Sequence, residues 1–215
     1  MKLIGITGKL GSGKDFITNN VIIPVVKKSY RFLQCAFADQ IKINVMTKNN
    51  INYHSIYEQK TPETRILLQQ EGTENARNLN ENIWIDYLHN WITVHHYRGG
   101  VELFVISDVR FKNEYSYIRN NGGIIVKVVS PIRNKKRLLQ ESKGCDITYR
   151  KISSHSSECD LDDLEDSKYD MIIKNDPDNN FNLDTLRDEF ASLINTAIEK
   201  KNIISFRQID LDQVM

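Results

Sequence analysis

Gly8-Lys9-Leu10-Gly11-Ser12-Gly13-Lys14 follows a short apolar run and has the spacing GxxxxGK. Glycines at these positions let successive backbone N–H groups turn inward, and a helix starting at the last of them adds the positive end of its dipole. Lys14 can then reach the outer phosphates of a bound polyphosphate. The competing reading is a glycine-rich strand-to-helix turn with an incidental lysine. Asp15 stands where a Ser or Thr usually touches magnesium. A carboxylate can hold that ion too, because magnesium prefers oxygen ligands, so Asp15 alters the metal's surroundings without excluding it. Gly8, Gly11, Ser12, Gly13, Lys14 and Asp15 are the candidate nucleotide-binding residues, with Asp15 also a candidate metal ligand.

A phosphate-binding loop alone does not separate a kinase from an ATPase or a switch. A second group is Arg65, Gln69, Thr73, Glu74, Arg77 and Trp84. On a helix, Arg65 and Gln69 share a face, as do Thr73 and Arg77. Guanidinium, amide, hydroxyl and carboxylate groups together suit one phosphate and one base edge; a solvated helix face with a core tryptophan would have the same spacing. The third group is Ser107-Asp108-Val109-Arg110, closing an apolar run. In a doubly wound sheet ligands gather beyond the carboxyl ends of the strands. Asp108 is thus placed to act on Mg²⁺ or an acceptor group, and Arg110 on a phosphate. Asp108 could equally be a helix cap.

These groups need a frame to hold them. Lys2–Thr7, Tyr30–Phe37, Val101–Ser107, Ile124–Val129 and Tyr169–Lys174 read as strands, most of them continuous apolar runs of the buried parallel kind. Helices are expected from Gly13, with Pro24 ending or kinking the first, and over 38–47, 61–75, 83–96, 112–120 and 183–200. The second of these places Ile41, Val45 and Met46 on one face. Residues 48–61 read as a loop, 131–143 as a basic segment, 144–168 as loop or short helix, and 202–215 as ambiguous. Alternation of strand and helix predicts one α/β domain, a parallel five-stranded sheet flanked by helices on both faces.

Lys plus Arg total 29 against 28 for Asp plus Glu, a net charge of +1. That excludes a broad polycationic surface for duplex nucleic acid but not a local basic pocket. Lys135-Lys136-Arg137 reads as a solvated or lid segment rather than an RNA patch, since no aromatics are interleaved. Cys35, Cys145 and Cys159 include no CxxC pair, so neither a disulfide framework nor a structural zinc site is expected. His155 and Cys159, four apart, lack further ligands nearby. The apolar start is too short for a signal peptide, and no run approaches the ~20 residues that span a bilayer. A soluble protein of a reducing compartment is expected, with no nucleic-acid or membrane partner. Apolar residues around Trp84 and Trp91 suit either core or a homodimer contact.

GKLGSGKD at 8–15, RILLQQEGTENAR at 65–77 with Trp84 downstream, and ISDVRFKNE at 106–114 resemble the deoxynucleoside monophosphate kinases of T-even phages and their viral relatives. FADQIK at 37–42, VVSP at 128–131, His155-Ser156-Ser157-Glu158 and YDMIIKND at 169–176 are similar to further blocks of that family, in the same order. The resemblance implies a P-loop kinase with a helical acceptor-binding region (38–100) and a lid (130–160) in one domain, 1–215. It implies that ATP, with Mg²⁺, phosphorylates a deoxynucleoside monophosphate in the cytoplasm, the host's if the chain is viral. Gly8, Gly13 and Lys14 would hold ATP phosphates, and Asp15 matches the family's own SGKD variant. Lys42, Arg65, Gln69, Thr73, Glu74, Arg77 and Trp84 would bind the acceptor. Asp108 and Arg110 would stand at the reaction centre, and Asn175 and Asp176 would flank the adenine. Where the family has an arginine before the lid proline this chain has Ser130; Arg133, Lys136 or Arg137 could replace it, and Arg137 is the catalytic candidate carried forward. A P-loop kinase for another phosphorylated acceptor, such as the animal phosphomevalonate kinases, and a nucleotide-binding switch are the alternative readings.

Overall fold

Five strands, β1 (Lys2–Thr7), β2 (Phe32–Cys35), β3 (Leu103–Val109), β4 (Ile124–Val129) and β5 (Met171–Lys174), pair in parallel in the order β2-β3-β1-β4-β5. The structure, a computed structural model, describes residues 1–59, 61–179 and 182–199, and within them not the side chains of Pro62, Glu74 and 197–199. Strand side chains point alternately to opposite faces, so a sheet covered on both sides needs apolar residues at every position. Central β1 meets that demand, buried from Leu3 to Thr7. Ile4, Ile6, Val105, Val126 and Val128 pack on one face, and Leu3, Phe104, Ile106 and Ile125 on the other. Each such side chain removed from water contributes about 1.5–3 kcal/mol.

Helix α1 starts at the glycine loop and runs through Lys14–Ile17, a π-helical turn Thr18–Ile22, and Ile23–Val26. The expected stop at Pro24 does not occur. Proline cannot donate to the carbonyl four residues back, and the helix meets this by widening just before it. The Asn20 carbonyl, which Pro24 cannot serve, accepts from Arg187 Nε at 2.8 Å. Val21 and Ile22 of α1 pack with Phe190 and Ile194 on the first sheet face.

The other face carries α2 (Ala38–Asn49), α3 (Tyr53–Tyr57), α4 (Pro62–Gln69, continued by π-helical Gln70–Arg77), α5 (Ile83–Tyr97) and α6 (Lys112–Asn120). Helix α3 lies where the sequence predicts a loop; Asn52 caps it, accepting from the Ser55 N–H at 3.0 Å. After β4 the chain forms α7 (Pro131–Ser142), α8 (Asp146–Ser153), short α9 (Ser156–Cys159) and a 3₁₀ turn, Asp166–Lys168, before β5 and α10 (Leu183–Glu199). The basic segment is therefore helical. Residues 202–215 lie outside the described residues. Among the described residues no helix is long and apolar enough to cross a membrane.

One irregularity serves the site. Gly5 pairs with Ile106 and Thr7 with Val109, so β3 places Ser107 and Asp108 against the single residue Ile6. Such a bulge re-aims the side chains it carries.

Candidate active site

The glycine loop leaves β1 and enters α1 with Gly11 at φ 73° and Gly13 at φ 85°, the left-handed region that favours glycine. Space excludes other residues too. A Cβ on Gly13 would meet Asn175 Nδ2 at 2.1 Å, and one on Gly8 the Val128 carbonyl at 2.4 Å. The buried Ser12 hydroxyl makes no hydrogen bond within the protein. Lys14 Nζ folds onto the Gly8 carbonyl at 2.6 Å. Burial, reinforced by Arg110, pushes the Lys14 ammonium down to about 8. A cradle without room for side chains, an unspent hydroxyl and an ammonium whose charge burial disfavours and an anion would restore fit a bound polyphosphate.

Asp108 sits on the β3 bulge. Its oxygens accept the Phe37 N–H at 2.8 Å and the Ala38 N–H at 3.0 Å, so it caps α2 while facing the loop. Burial pushes its carboxyl up, against those N–H groups and Lys42. Asp108 and exposed Asp15 line one cavity of about 870 Å³, together with Lys14, Lys42, Arg65, Arg110 and Arg137. Two carboxylates lining that cavity offer the oxygen ligands a hard cation prefers. No group of three or more His, Cys, Asp or Glu placed to hold a metal occurs among the described residues.

Beyond Asp108 and Arg110 lies a second cavity of about 310 Å³, walled by Phe37, Ile41, Trp84 and Phe111, with Arg65, Gln69 and Thr73 at its edge. Buried Trp84 gives its Nε1–H to the Gly72 carbonyl at 2.8 Å, which leaves its ring as the wall. Arg77 also lines this cavity but is committed elsewhere: it pairs with buried Glu114 at 2.6 Å and lies over the Phe111 ring at 3.7 Å. Lys42 is held by Asp39 at 2.9 Å and lies over the Tyr57 ring. The side chain of Glu74 lies outside the described residues.

Helix α7 packs directly on the loop. Asn134 Nδ2 donates to the Leu10 carbonyl at 2.7 Å, and the Gly11 Cα lies against the Arg137 stem, where a Cβ would approach Arg137 Cβ at 2.6 Å. Arg137 of α7 and Arg65 of α4 share the Glu141 carboxylate, at 2.6 and 3.0 Å. Ser130, in the place of the expected arginine, donates to Asp176 at 2.6 Å, and Asp176 also accepts the Ile132 N–H, capping α7. Asn175 is buried and donates to the Ser12 carbonyl at 2.8 Å, supporting the loop from behind. Sequence reading alone missed Asn134 and Glu141. The local signal was slight: a polar residue on a basic helix shows its partner only when the helix docks.

A protein of Acanthamoeba polyphaga mimivirus, provisionally named a deoxynucleotide monophosphate kinase, is 33% identical over 151 aligned residues, spanning 61% of this chain and 75% of its own length. The chain belongs to the viral deoxynucleotide monophosphate kinase family. No protein-family model matches it. A Thermus thermophilus protein of known structure has a similar fold, with a TM-score of 0.50 at 12% identity over 91% of this chain and 97% of its own. A dephospho-CoA kinase of Campylobacter jejuni aligns with a TM-score of 0.45 at 18% identity, over 94% of this chain and all of its own. With its glycine loop set between β1 and α1 of a parallel five-stranded sheet, the chain has the P-loop kinase fold, and the loop, the bulge and α7 meet around Arg110, which lines both cavities.

Proposed function

We propose that this kinase transfers the terminal phosphoryl group of ATP to the phosphate of a deoxynucleoside monophosphate, giving the diphosphate and ADP. The observation that supports this reading is that the two cavities adjoin, sharing Leu10, Ala38, Arg65, Asp108 and Arg110 in their walls. A donor cradled at the glycine loop and an acceptor in the Trp84 pocket would meet there. The flat apolar walls suit a base, and Gln69 and Thr73 suit its polar edge.

In phosphoryl transfer the protein contributes mainly alignment and positive charge. An acceptor phosphate oxygen attacks the terminal phosphorus, the bond to the bridging oxygen breaks, and ADP leaves with the electron pair. The attacking oxygen is already anionic, so no strong base is needed. Lys14, Arg110 and Arg137 offset the repulsion between the two phosphates, and Arg65 with Lys42 aligns the acceptor. Asp15 and Asp108 would hold Mg²⁺, which would supply positive charge to neutralise phosphate oxygens. Helices α7 to α9 keep water out, without which ATP would be hydrolysed. The Asn175-Asp176 turn, whose side chains support the loop and cap α7, would border the adenine through its backbone.

The test is ADP release from ATP and Mg²⁺ with each deoxy- and ribonucleoside monophosphate, with mevalonate 5-phosphate, and with no acceptor. Turnover with one or a few deoxynucleotides is expected. Turnover with mevalonate 5-phosphate alone would assign another acceptor to the second cavity. Slow release indifferent to every acceptor would leave an ATPase or switch.

A further inference from the structure

Glu158 occupies an unusual position for a carboxylate. One oxygen accepts the Leu10 N–H of the glycine loop at 2.7 Å, and the other pairs closely with the Arg110 guanidinium. Its side chain is only 9% exposed. The two donors it uses are a loop amide and the arginine at the junction of the cavities, the place where a phosphoryl group would pass from donor to acceptor. The carboxylate therefore fills an anion site in the path of the reaction. A phosphate and a carboxylate cannot share these donors, because two like charges at one half-buried site repel.

The segment carrying Glu158 is anchored beyond it, where Leu161 and Leu164 pack against the core and Asp160 accepts the Lys112 N–H at 2.7 Å, so the part free to move is the stretch of α9 that bears Glu158, tied by exposed pairs. Lys9 pairs with Asp162 at 2.7 Å and Lys112 with Asp163 at 2.6 Å, all four side chains about half exposed or more. Exposed pairs of this kind each hold weakly. Arg110 makes one further bond to the segment, to the Ser157 carbonyl at 3.2 Å.

We propose that Glu158 stands in for the transferred phosphoryl group in the nucleotide-free enzyme: the terminal phosphate of ATP displaces it, and it returns once that group has left. ADP, which lacks the group, binds with Glu158 still in place. Glu158 thereby sets the ratio of ATP to ADP affinity at the donor site. The proposal rests on the kinase reading above and extends it to the donor side.

The experiment measures binding of a non-hydrolysable ATP analogue (the β,γ-imido compound) and of ADP by calorimetry, without acceptor, to wild type, Glu158→Gln and Asp162→Asn. Removing the resident charge is expected to tighten the triphosphate analogue roughly tenfold, as when a competing closed state holds nine-tenths of the population, while ADP changes less than about twofold. Asp162→Asn, which loosens the same segment but leaves the carboxylate, is expected to leave the ratio unchanged. Glu158→Asp keeps the charge on a stem one methylene shorter and gives a smaller shift in the same direction, which covers the case of a Gln variant that fails to fold. An unchanged ratio in the Glu158 variants, or a weakened triphosphate, overturns the proposal and leaves the kinase reading intact. Failure of the wild type to bind either nucleotide overturns both.

Discussion

At the scale of single residues, Lys14 couples the loop to pH. Its ordinary value of 10.5 is pushed down to about 8 by burial first and by Arg110 second. Between those values the unfolded chain binds more protons than the folded one, so through this group stability rises with pH across that window and the full burial penalty remains below it. A phosphate placed against Lys14 favours the charged form and restores the proton. Nucleotide binding at pH 8 is therefore expected to take up roughly half a proton, and close to none at pH 6.5. Calorimetry in buffers of different ionisation enthalpy reads this directly; proton release at pH 8, or equal uptake at both values, would show that Lys14 is not titrating in the free enzyme. The loop residues were legible because glycine is demanded there by backbone geometry and excluded volume, and both leave a local mark in the sequence. Arg77 was legible only as a cation near the acceptor. Its partner Glu114 is 37 residues away, and nothing local announces that the charge is already spent. Asp108 carried two readings, a helix cap and a group at the reaction centre; it caps α2 while lining the cavity of the glycine loop.

Among the elements, α1 shows how a tertiary contact overrides a local rule. Pro24 predicts a helix end or kink; the helix does not end there, because the π-helical turn ahead of it and the Arg187 bond to the Asn20 carbonyl let it run on to Val26. That matters to the site because α1 carries Lys14 at its first turn. Arg187→Ala strands the carbonyl and is expected to destabilise the protein by about 1–2 kcal/mol. Pro24→Ala returns an N–H to that position, so in its background the same Arg187 change should cost less than half as much. Urea unfolding of the four proteins of this cycle decides the matter, since equal costs in both backgrounds would mean that Arg187 acts through its surface pair with Asp184 instead. The five strands were legible because a doubly covered parallel sheet writes itself as continuous apolar runs. Helix α3 was not: five residues, Tyr53–Tyr57, in an Asn-rich stretch carry too little periodicity. The segment at 144–168 was legible only as loop or short helix, for a similar reason.

Over the whole molecule, a net charge of +1 conceals a concentration of Lys14, Lys42, Arg65, Arg110 and Arg137 around one cavity. Compensating carboxylates are drawn from other parts of the chain, and Glu141 does this for two arginines at once, Arg65 on the acceptor side and Arg137 on the lid. The Glu141 carboxylate thus ties α4 to α7, two elements that the kinase reading proposed above would have part to admit substrates. Glu141→Gln would leave two guanidinium groups facing each other across the opening, and their repulsion would favour a raised lid. If this contributes about 1.4 kcal/mol to closure, amide hydrogen exchange in α7 and α8 should quicken roughly tenfold in the empty variant, while β1, β4 and α10 exchange as before. Adding a triphosphate analogue and an acceptor should bring the lid amides back to the wild-type rate, because bound phosphates then fill the space between the arginines. Faster exchange spread evenly over sheet and lid would mean that Glu141 supports the fold as a whole. Unaltered exchange in α7 would mean that Asn134 and the packing of Arg137 on Gly11 hold the lid without it.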